Sequence, residues 1–567
     1  MRKPASDLDP AQADCVRSGL RAMMVVAGPG SGKTRTLVAA VRAALDDAVD
    51  PRRILLVTFT RLAAAETMRR LGTVRGLTIG TFHGVCYQLV CAAWEELGFR
   101  GPEIELFDRI EQDRVIARVI NTARRKPSKT AVHKALDHMG EHGTRPTGLE
   151  PAVGAVIDSY LQELKQANAI DYQTAAYLGL ELASRHPPGW THIFADEVQD
   201  LDRAQWAFFK HCKPERLFAV GDIDQLVYGW RGASVETMRW QVGEWGAGIA
   251  KLETNYRSGR RIVAAADRLI AHNQNRIAKV MIPHREDEGE VRVIDAQRFA
   301  PAVLGVMGDG VSVAVLARTH AVLSEAMAEM EACGLKPSLV GRQERILERP
   351  DVREAFAALC FAALPLSTSV CERALRAMGW SELDVITLMA DAKGSGRTFW
   401  EVAAAQDELV RELEEDCQGL GLGERLEVVA ALLGLRDGPG AAWDEVTRIV
   451  ARFVGATAYA SRTPAAFMAW LNARDLQDEV DTDHPLQAMT IHASKGLEFD
   501  QVFVYGFDEG VLPGRNRDAD QLEEERRLAF VAATRARHGL TLVVGSEQPG
   551  NTGPSRFLAE MGLQCGS

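Results

Sequence analysis

No two of the nine cysteines in this chain form a Cys-x-x-Cys pair, so a zinc site, an iron–sulfur cluster and a disulfide framework all lack their usual spacing. Reduced thiols and a cytoplasmic setting are expected. No stretch approaches the ~18 uninterrupted apolar residues of a membrane span. The start, Met1-Arg2-Lys3-Pro4-Ala5-Ser6-Asp7, is not followed by the apolar core of a secretory signal. There is no internal repeat and no low-complexity linker. Excess positive charge is lacking as well: the formal net charge is −11. A protein that coats nucleic acid indiscriminately is usually basic, yet a nucleic-acid groove needs only local positive charge. Residues 109–145 carry nine Lys/Arg against four Asp/Glu, and residues 401–416 carry seven Asp/Glu with Arg411 the one base. Solvated helix surface is the bland account of both, and it is favoured for the acidic run.

Against these absences stands one short run. Residues 27–34 read Ala-Gly-Pro-Gly-Ser-Gly-Lys-Thr, directly after the apolar Met23-Met24-Val25-Val26. An apolar strand, a glycine-rich turn and Lys-Thr opening a helix form a phosphate cradle: backbone N–H groups turn inward and the helix dipole favours an anion. Lys33 can reach the β- and γ-phosphates and the Thr34 hydroxyl can hold Mg²⁺. The strict pattern begins with Gly; here Ala27 takes that place.

At 567 residues the chain has room for about four domains or subdomains. Ile54–Phe59 reads as a buried strand, and Leu77–Phe82, Thr191–Ala195 and Leu217–Val220 as further short strands, with an alanine-rich helix from Leu62 to Leu71. Val85 to about Leu180 is mostly helical, broken at Pro127 and Pro146. The same grammar restarts at Val311–Ala317, Met489–Ile491, Gln501–Tyr505 and Leu540–Val544, with a helical pattern from about 351 to 484. Short apolar strands separated by helices predict doubly wound parallel sheets, here in two α/β units, each interrupted by a helical insertion.

Asp196-Glu197-Val198-Gln199-Asp200 follows the strand Ile193-Phe194-Ala195, and open α/β sheets bind ligands at the C-terminal ends of strands. Asp196 there can complete a Mg²⁺ shell, and Glu197 can position or deprotonate water. Next come Gly221-Asp222-Ile223-Asp224-Gln225 and Tyr228-Gly229-Trp230-Arg231-Gly232-Ala233. Gln225 at a strand end can sense a γ-phosphate. Trp230 and Arg231 offer a stacking face and a phosphate contact to single-stranded nucleic acid. A core Trp with a surface Arg is the competing reading of that pair.

With these blocks in place the chain resembles a superfamily 1 DNA helicase of the UvrD/Rep/PcrA type. Gln12 in Leu8–Gln12 resembles the adenine-reading glutamine. Ala27–Thr34 and Asp196–Asp200 resemble the Walker A and B blocks, and Gly221–Ala233 the coupling block. Thr58-Phe59-Thr60 and Thr81-Phe82-His83-Gly84 resemble two early strand-contacting blocks. Asn255-Tyr256-Arg257-Ser258, Thr490 to Phe499, and Glu524-Glu525-Arg526-Arg527-Leu528 through Thr534-Arg535-Ala536 resemble the last three. Val198, Arg61 and Leu226-Val227 depart from the usual Tyr or Phe, Asn, and Ser-Ile; none removes an expected catalytic group.

The resemblance implies two RecA-like P-loop domains with ATP and Mg²⁺ between them. The implied division is 1–87 with 176–258 (domain 1A), 88–175 (helical insertion 1B), 259–360 with 485–567 (domain 2A) and 361–484 (a reduced helical insertion 2B). Gln12 and Tyr256 would hold the adenine. Ala27, Gly28, Pro29, Gly30, Ser31, Gly32, Lys33 and Thr34 would hold the phosphates, with Thr34 and Asp196 on the metal and Glu197 as base. Gln225, Arg257 and Arg535 would surround the γ-phosphate, Arg535 as an arginine finger. Glu498 is implied at the nucleotide and also as a strand contact. Phe59, His83, Trp230, Arg231 and His492 are implied DNA contacts. For Arg526 and Arg527, salt bridges on the helix surface or between blocks compete evenly with a functional role.

The implied activity is ATP-driven movement on single-stranded DNA, 3′ to 5′, with unwinding at single-strand/duplex junctions during repair, replication or recombination. No membrane partner is expected and no protein loader is named by the sequence. The alternative is a DNA-stimulated ATPase translocase without processive unwinding. A different P-loop enzyme, such as a kinase, does not need the distant Arg-rich sixth block. A non-catalytic relative does not need Lys33, Glu197 and Arg535 all intact.

Overall fold

The computed structural model describes residues 8–340 except 73, 108 and 228–233; residues 380–417 except 396 and 398; residues 484–564 except 516; and isolated residues at 374–375, 420, 424–425, 428–429, 446–447 and 449–451. Trp230 and Arg231 therefore lie outside the described residues, as does most of the predicted second insertion. The chain divides into two compact units. One comprises residues 1–82, 183–343 and 477–567; the other comprises 83–182 and 344–476.

The first unit begins with β1 (Ala22–Ala27), β2 (Ile54–Thr58) and β3 (Thr78–Thr81). The short strands β4 (Glu105–Phe107) and β5 (Ala169–Asp171) belong to the second unit. The first resumes with β6 (His192–Ala195), β7 (Arg216–Gly221) and β8 (Gly248–Leu252). Its first sheet has the order β3-β2-β6-β7-β1-β8, every pair parallel. All six residues of β1 and all five of β2 are buried, which is why both appear in the sequence as unbroken apolar runs. Val25, Leu56, Phe194, Phe218 and Val220 share a core with Leu37, Ala40, Val41 and Ala44 of the helix Lys33–Asp46. That packing fixes the start of the helix at the C-terminal end of β1.

A small pair, β9 (Thr254–Asn255) and β10 (Ile282–Pro283), follows. The second sheet is built from β11 (Glu290–Asp295), β12 (Val313–Ala317), β13 (Ser338–Leu339), β14 (Leu486–Thr490), β15 (Phe499–Tyr505) and β16 (Ala536–Val544). Its order is β11-β16-β15-β12-β14-β13, again all parallel. The period of two along a strand is visible in β12. Ala314 and Leu316 pack with the helices Arg260–Ala271 and Ala519–Ala533, whereas Val313, Val315 and Ala317 pack with Phe299, Val322, Ala326 and Met330 on the other face. Both faces are covered, so the strand is apolar throughout. The fold class is α/β with two parallel sheets, as the strand grammar predicts.

Three strands of these sheets escape that grammar, one of them the two-residue β13. β8 and β11 lie at sheet edges and alternate between partly buried and exposed residues, so neither presents an apolar run.

In the second unit the helices Arg109–Thr122, Lys129–His142 and Pro151–Gln166 enclose Ile116, Leu136, Ile157 and Tyr160. Pro127 and Pro146 fall between these helices, where the sequence places breaks. β4 and β5, a parallel pair, are an exception to the helical reading. The buried Asp171 ends β5. It accepts hydrogen bonds from Tyr160 Oη, from Gln112 Nε2 at 3.1 Å and from Thr174 N at 2.6 Å. Four of the nine bases in the run at 109–145 sit in separate ion pairs, among them Lys129–Asp113 and Arg145–Asp158, both at 2.7 Å. The same unit holds the helices Glu382–Ser395, Phe399–Gln406 and Glu408–Cys417, with Trp380 Nε1 donating to Asp407 at 2.7 Å. Among the described residues no helix is long and apolar enough to cross a membrane.

Candidate nucleotide and nucleic-acid site

The loop Gly28–Gly32 leaves the C-terminal end of β1 and turns through two left-handed glycines, Gly30 (φ +67°) and Gly32 (φ +81°). A side chain is excluded at both. A Cβ on Gly30 would lie 2.7 Å from Arg257 Cβ, and one on Gly32 would lie 2.6 Å from Gln12 Nε2. Ser31 Oγ donates to the Gly28 carbonyl at 2.7 Å and closes the turn. Gly32 caps the helix Lys33–Asp46 without any side-chain bond, so the cap residue does not compete with an anion for the first-turn N–H groups. Such a loop fits a chain of phosphates.

Two neighbours hold it. Gln12 is buried; its Nε2 donates to the Ser31 carbonyl at 3.0 Å, and its Oε1 accepts from Asp9 N at 3.2 Å. Tyr256 N donates to the Gly30 carbonyl at 2.8 Å, and its Oη donates to Asp9 at 2.6 Å. Gln12 and Tyr256, the two residues expected at the adenine, thus meet through Asp9; the Tyr256 ring lies 4.7 Å from that of His284.

Two strands along the sheet, Asp196 and Glu197 leave β6. Lys33 Nζ lies 3.5 Å from Glu197 Oε1. Glu197 adopts a left-handed backbone (φ +50°), a costly conformation for a residue with a side chain and one that concentrates at working sites. Burial pushes the Glu197 carboxyl up, but the charges of Lys33 and Lys495 outweigh it and hold it below the usual range. Asp196 is driven the other way, by burial and by the charge of Glu197. A carboxylate under that pressure is relieved by a cation, which fits a divalent metal beside the phosphate loop.

β7 lies between β1 and β6, and its exit carries Asp222 and Gln225, both buried. Gln199 bridges the exits of β6 and β7: Nε2 donates to Glu197 at 2.5 Å and Oε1 accepts from Asp222 N at 2.8 Å. Gln225 Nε2 donates to Asp222 at 2.7 Å. The second sheet then reaches in. Arg535 Nη2 donates to Gln225 Oε1 at 3.4 Å, and Lys495 Nζ donates to the Gln225 carbonyl at 3.0 Å and to Asp200. Arg535 is itself fixed by the carbonyls of Val531 (2.9 Å) and Leu497 (3.1 Å). Burial, then the neighbouring Arg257, bring its guanidinium down to about 9. Arg257 donates to Glu498 at 2.6 Å and to the Thr534 carbonyl at 3.0 Å, and Arg537 also pairs with Glu498.

A family model described as the UvrD/REP helicase N-terminal domain matches residues 8–241, and one described as the UvrD-like helicase C-terminal domain matches residues 460–547. The chain belongs to the UvrD/Rep helicase family. This helicase is 28% identical over 640 aligned residues to the DNA helicase II of Salmonella typhimurium (strain LT2) and to that of Escherichia coli (strain K12). Each alignment covers 98% of the chain and 88% of the relative. It is 26% identical to the ATP-dependent DNA helicase PcrA of Leuconostoc citreum, with 97% and 84% covered.

The other predicted contacts of the helicase fall in three places. Phe59 follows β2, with Lys495 Nζ 5.8 Å above its ring. His492 follows β14; burial and then Arg318 bring its imidazole down to about 4, so it is neutral at ordinary pH. His83 lies in the second unit, where its ring meets Tyr172 edge-on at 5.9 Å. Arg526 and Arg527 are bound within the second sheet's helices. Arg526 forks onto Glu560 at 2.7 and 2.9 Å and reaches Asn273 at 2.6 Å; Arg527 donates to the Asn275 carbonyl at 2.9 Å. Arg526 thus pairs with a glutamate outside the blocks, and Arg527 pairs with Glu523 of its own helix at 3.3 Å.

The sequence shows Gln199 and Lys495 inside their blocks but assigns neither a task. It gives no hint at all of Lys279, which meets Asp222 and Asp224. Lys279 belongs to no recognisable motif; it interrupts the apolar run Ile277–Pro283, and nothing beside it in the sequence marks a partner for its charge.

Proposed function

We propose that this helicase hydrolyses ATP between its two sheets and uses the cycle to move 3′ to 5′ on single-stranded DNA and to separate duplex at a junction, in the cytoplasm. The supporting observation is that Arg535, which precedes β16 of the second sheet, donates to Gln225 at the exit of β7 in the first. A charged group from one sheet thus stands beside the phosphate loop of the other, the arrangement that phosphoryl transfer exploits.

In this reading the loop 27–34 and Lys33 bind the phosphates, with Gln12 and Tyr256 at the base. Glu197, held ionised by its cations, orients and deprotonates water. Gln225, Arg257 and Arg535 answer the charge that grows on the γ-phosphate, and Glu498 sets Arg257. Thr34 and Asp196 would hold Mg²⁺, which when bound neutralises phosphate charge. Phe59 and His492 would contact the DNA strand, with His83, Trp230 and Arg231 as further contacts. The domain division is proposed at 1–87 with 176–258, 88–175, 259–360 with 485–567, and 361–484.

The test is ATP turnover with and without single-stranded DNA, together with strand displacement on 3′-tailed and 5′-tailed duplexes. DNA-stimulated turnover with displacement of the 3′-tailed duplex is expected. Stimulated turnover without displacement would leave a translocase, and turnover indifferent to DNA would overturn the reading.

A further inference from the structure

Beneath the exit of β7 lies a buried cluster of four charges. The side chains of Lys279, Asp222 and Asp224 are fully enclosed. Lys279 Nζ donates to Asp222 Oδ1 at 2.5 Å and to Asp224. Arg276 closes on Asp224 with Nε at 3.1 Å and Nη2 at 2.7 Å. Both cations come from the segment between the helix Arg260–Ala271 and β10, away from every block that marks the site. The Lys279 stem also runs beside the phosphate loop, 3.6 Å from where a Cβ on Gly28 would sit.

A buried cation carries a heavy desolvation penalty unless well paired, so its presence calls for a task. Asp222 uses Oδ1 for Lys279 and for Asp224 N at 3.1 Å, and Oδ2 for Gln225 Nε2. With both oxygens engaged, the Asp222 carboxylate has one orientation. The Gln225 amide must then turn its nitrogen to Asp222 and its oxygen to Arg535. We propose that Lys279 is a positioning residue for hydrolysis, locking Asp222 so that Gln225 presents its oxygen to Arg535. The proposal rests on the assignment of Gln225 and Arg535 to the γ-phosphate given above. Lys279 acts through two intermediaries and touches no reacting atom.

The experiment is a double-mutant cycle on the full-length protein, reading kcat and KM for ATP with saturating single-stranded DNA, and the melting temperature of each variant. Lys279→Met is expected to lower kcat about tenfold, the scale of coupling between residues in one network, with KM changed by no more than about twofold. In a Gln225→Ala background the same change should have no further effect on kcat. Equal losses in both backgrounds, or an unchanged kcat in Lys279→Met, would overturn the proposal.

Because Lys279→Met leaves two buried carboxylates short of a cation, Lys279→Met/Asp222→Asn supplies a charge-balanced partner. That variant should regain thermal stability yet keep the low kcat: the Asp224 N–H, which now donates to Asp222 Oδ1 at 3.1 Å, would hold the oxygen of the new amide at position 222, so that its NH2 faces Gln225 and turns the Gln225 oxygen away from Arg535. Recovery of kcat along with stability would show a merely structural lysine and overturn the proposal. Gln225→Ala alone separates the two layers. A wild-type kcat there would remove the assignment of Gln225 and the proposal with it, whereas a defective Gln225→Ala beside a normal Lys279→Met would remove the proposal only.

Discussion

The two six-stranded sheets are alike in parallel order and buried strands, yet they approach the site with opposite ends. The first offers the C-terminal ends of β1, β6 and β7, from which Lys33, Glu197 and Gln225 emerge. The second offers Glu498 and Arg535, which stand directly ahead of the first residues of β15 and β16. One sheet behaves as open α/β sheets usually do; the other supplies charge from the end where ligands are not expected. A nucleotide bound by the first sheet would therefore be bound without the arginine that completes its surroundings. The division lets binding and turnover be separated by mutation.

The sharpest break falls on the second sheet. Arg535→Ala is expected to lower ATP turnover by roughly 10³–10⁵, the usual weight of an arginine finger, while nucleotide affinity changes little; stopped-flow binding beside a steady-state ATPase assay checks both. On the first sheet, Glu197→Gln should lower kcat by roughly 10²–10⁴ and keep the nucleotide. Lys33→Ala should lose turnover and affinity together, because Lys33 would meet the phosphates themselves. Near-normal turnover in Glu197→Gln would remove it as the base.

A milder change sharpens the comparison from the DNA side. Phe59→Ala is expected to weaken single-strand binding roughly tenfold, within the about 1–3 kcal/mol of a base–aromatic stack, with basal ATPase preserved; fluorescence anisotropy on a labelled oligonucleotide reads it. Smallest in its effect on chemistry is Arg526→Ala. It removes a nearly buried fork to Glu560 and should cost about 2–4 kcal/mol of stability, seen in denaturant melts, with kcat per folded molecule unchanged. A large loss of kcat without loss of stability would instead make Arg526 functional.

The opposite approach of the two sheets also explains what is legible in the sequence. Lys33, Asp196 and Gln225 follow apolar strands, so strand prediction and the C-terminal-end rule find them from the residues alone. Arg535 precedes its strand and sits at the end of a helix; only the family resemblance of its block marks it. β8 and β11 escape because edge strands bury one face and show no apolar run. Lys279 escapes for a different reason. Its burial depends on Asp222 and Asp224, more than fifty residues earlier, and no local pattern records a pairing made through space.

The anchoring of Arg535 has a consequence for the energetics of the proposed hydrolysis. Its guanidinium already donates to two backbone carbonyls and to Thr534 Oγ1 at 3.2 Å, in addition to Gln225. The rotameric freedom of a long arginine, worth about 2 kcal/mol, is thus given up when the second sheet folds and not when the nucleotide arrives. In the proposed cycle the nucleotide would meet an arginine already in place, so the temperature dependence of turnover should carry almost nothing from the ordering of this side chain.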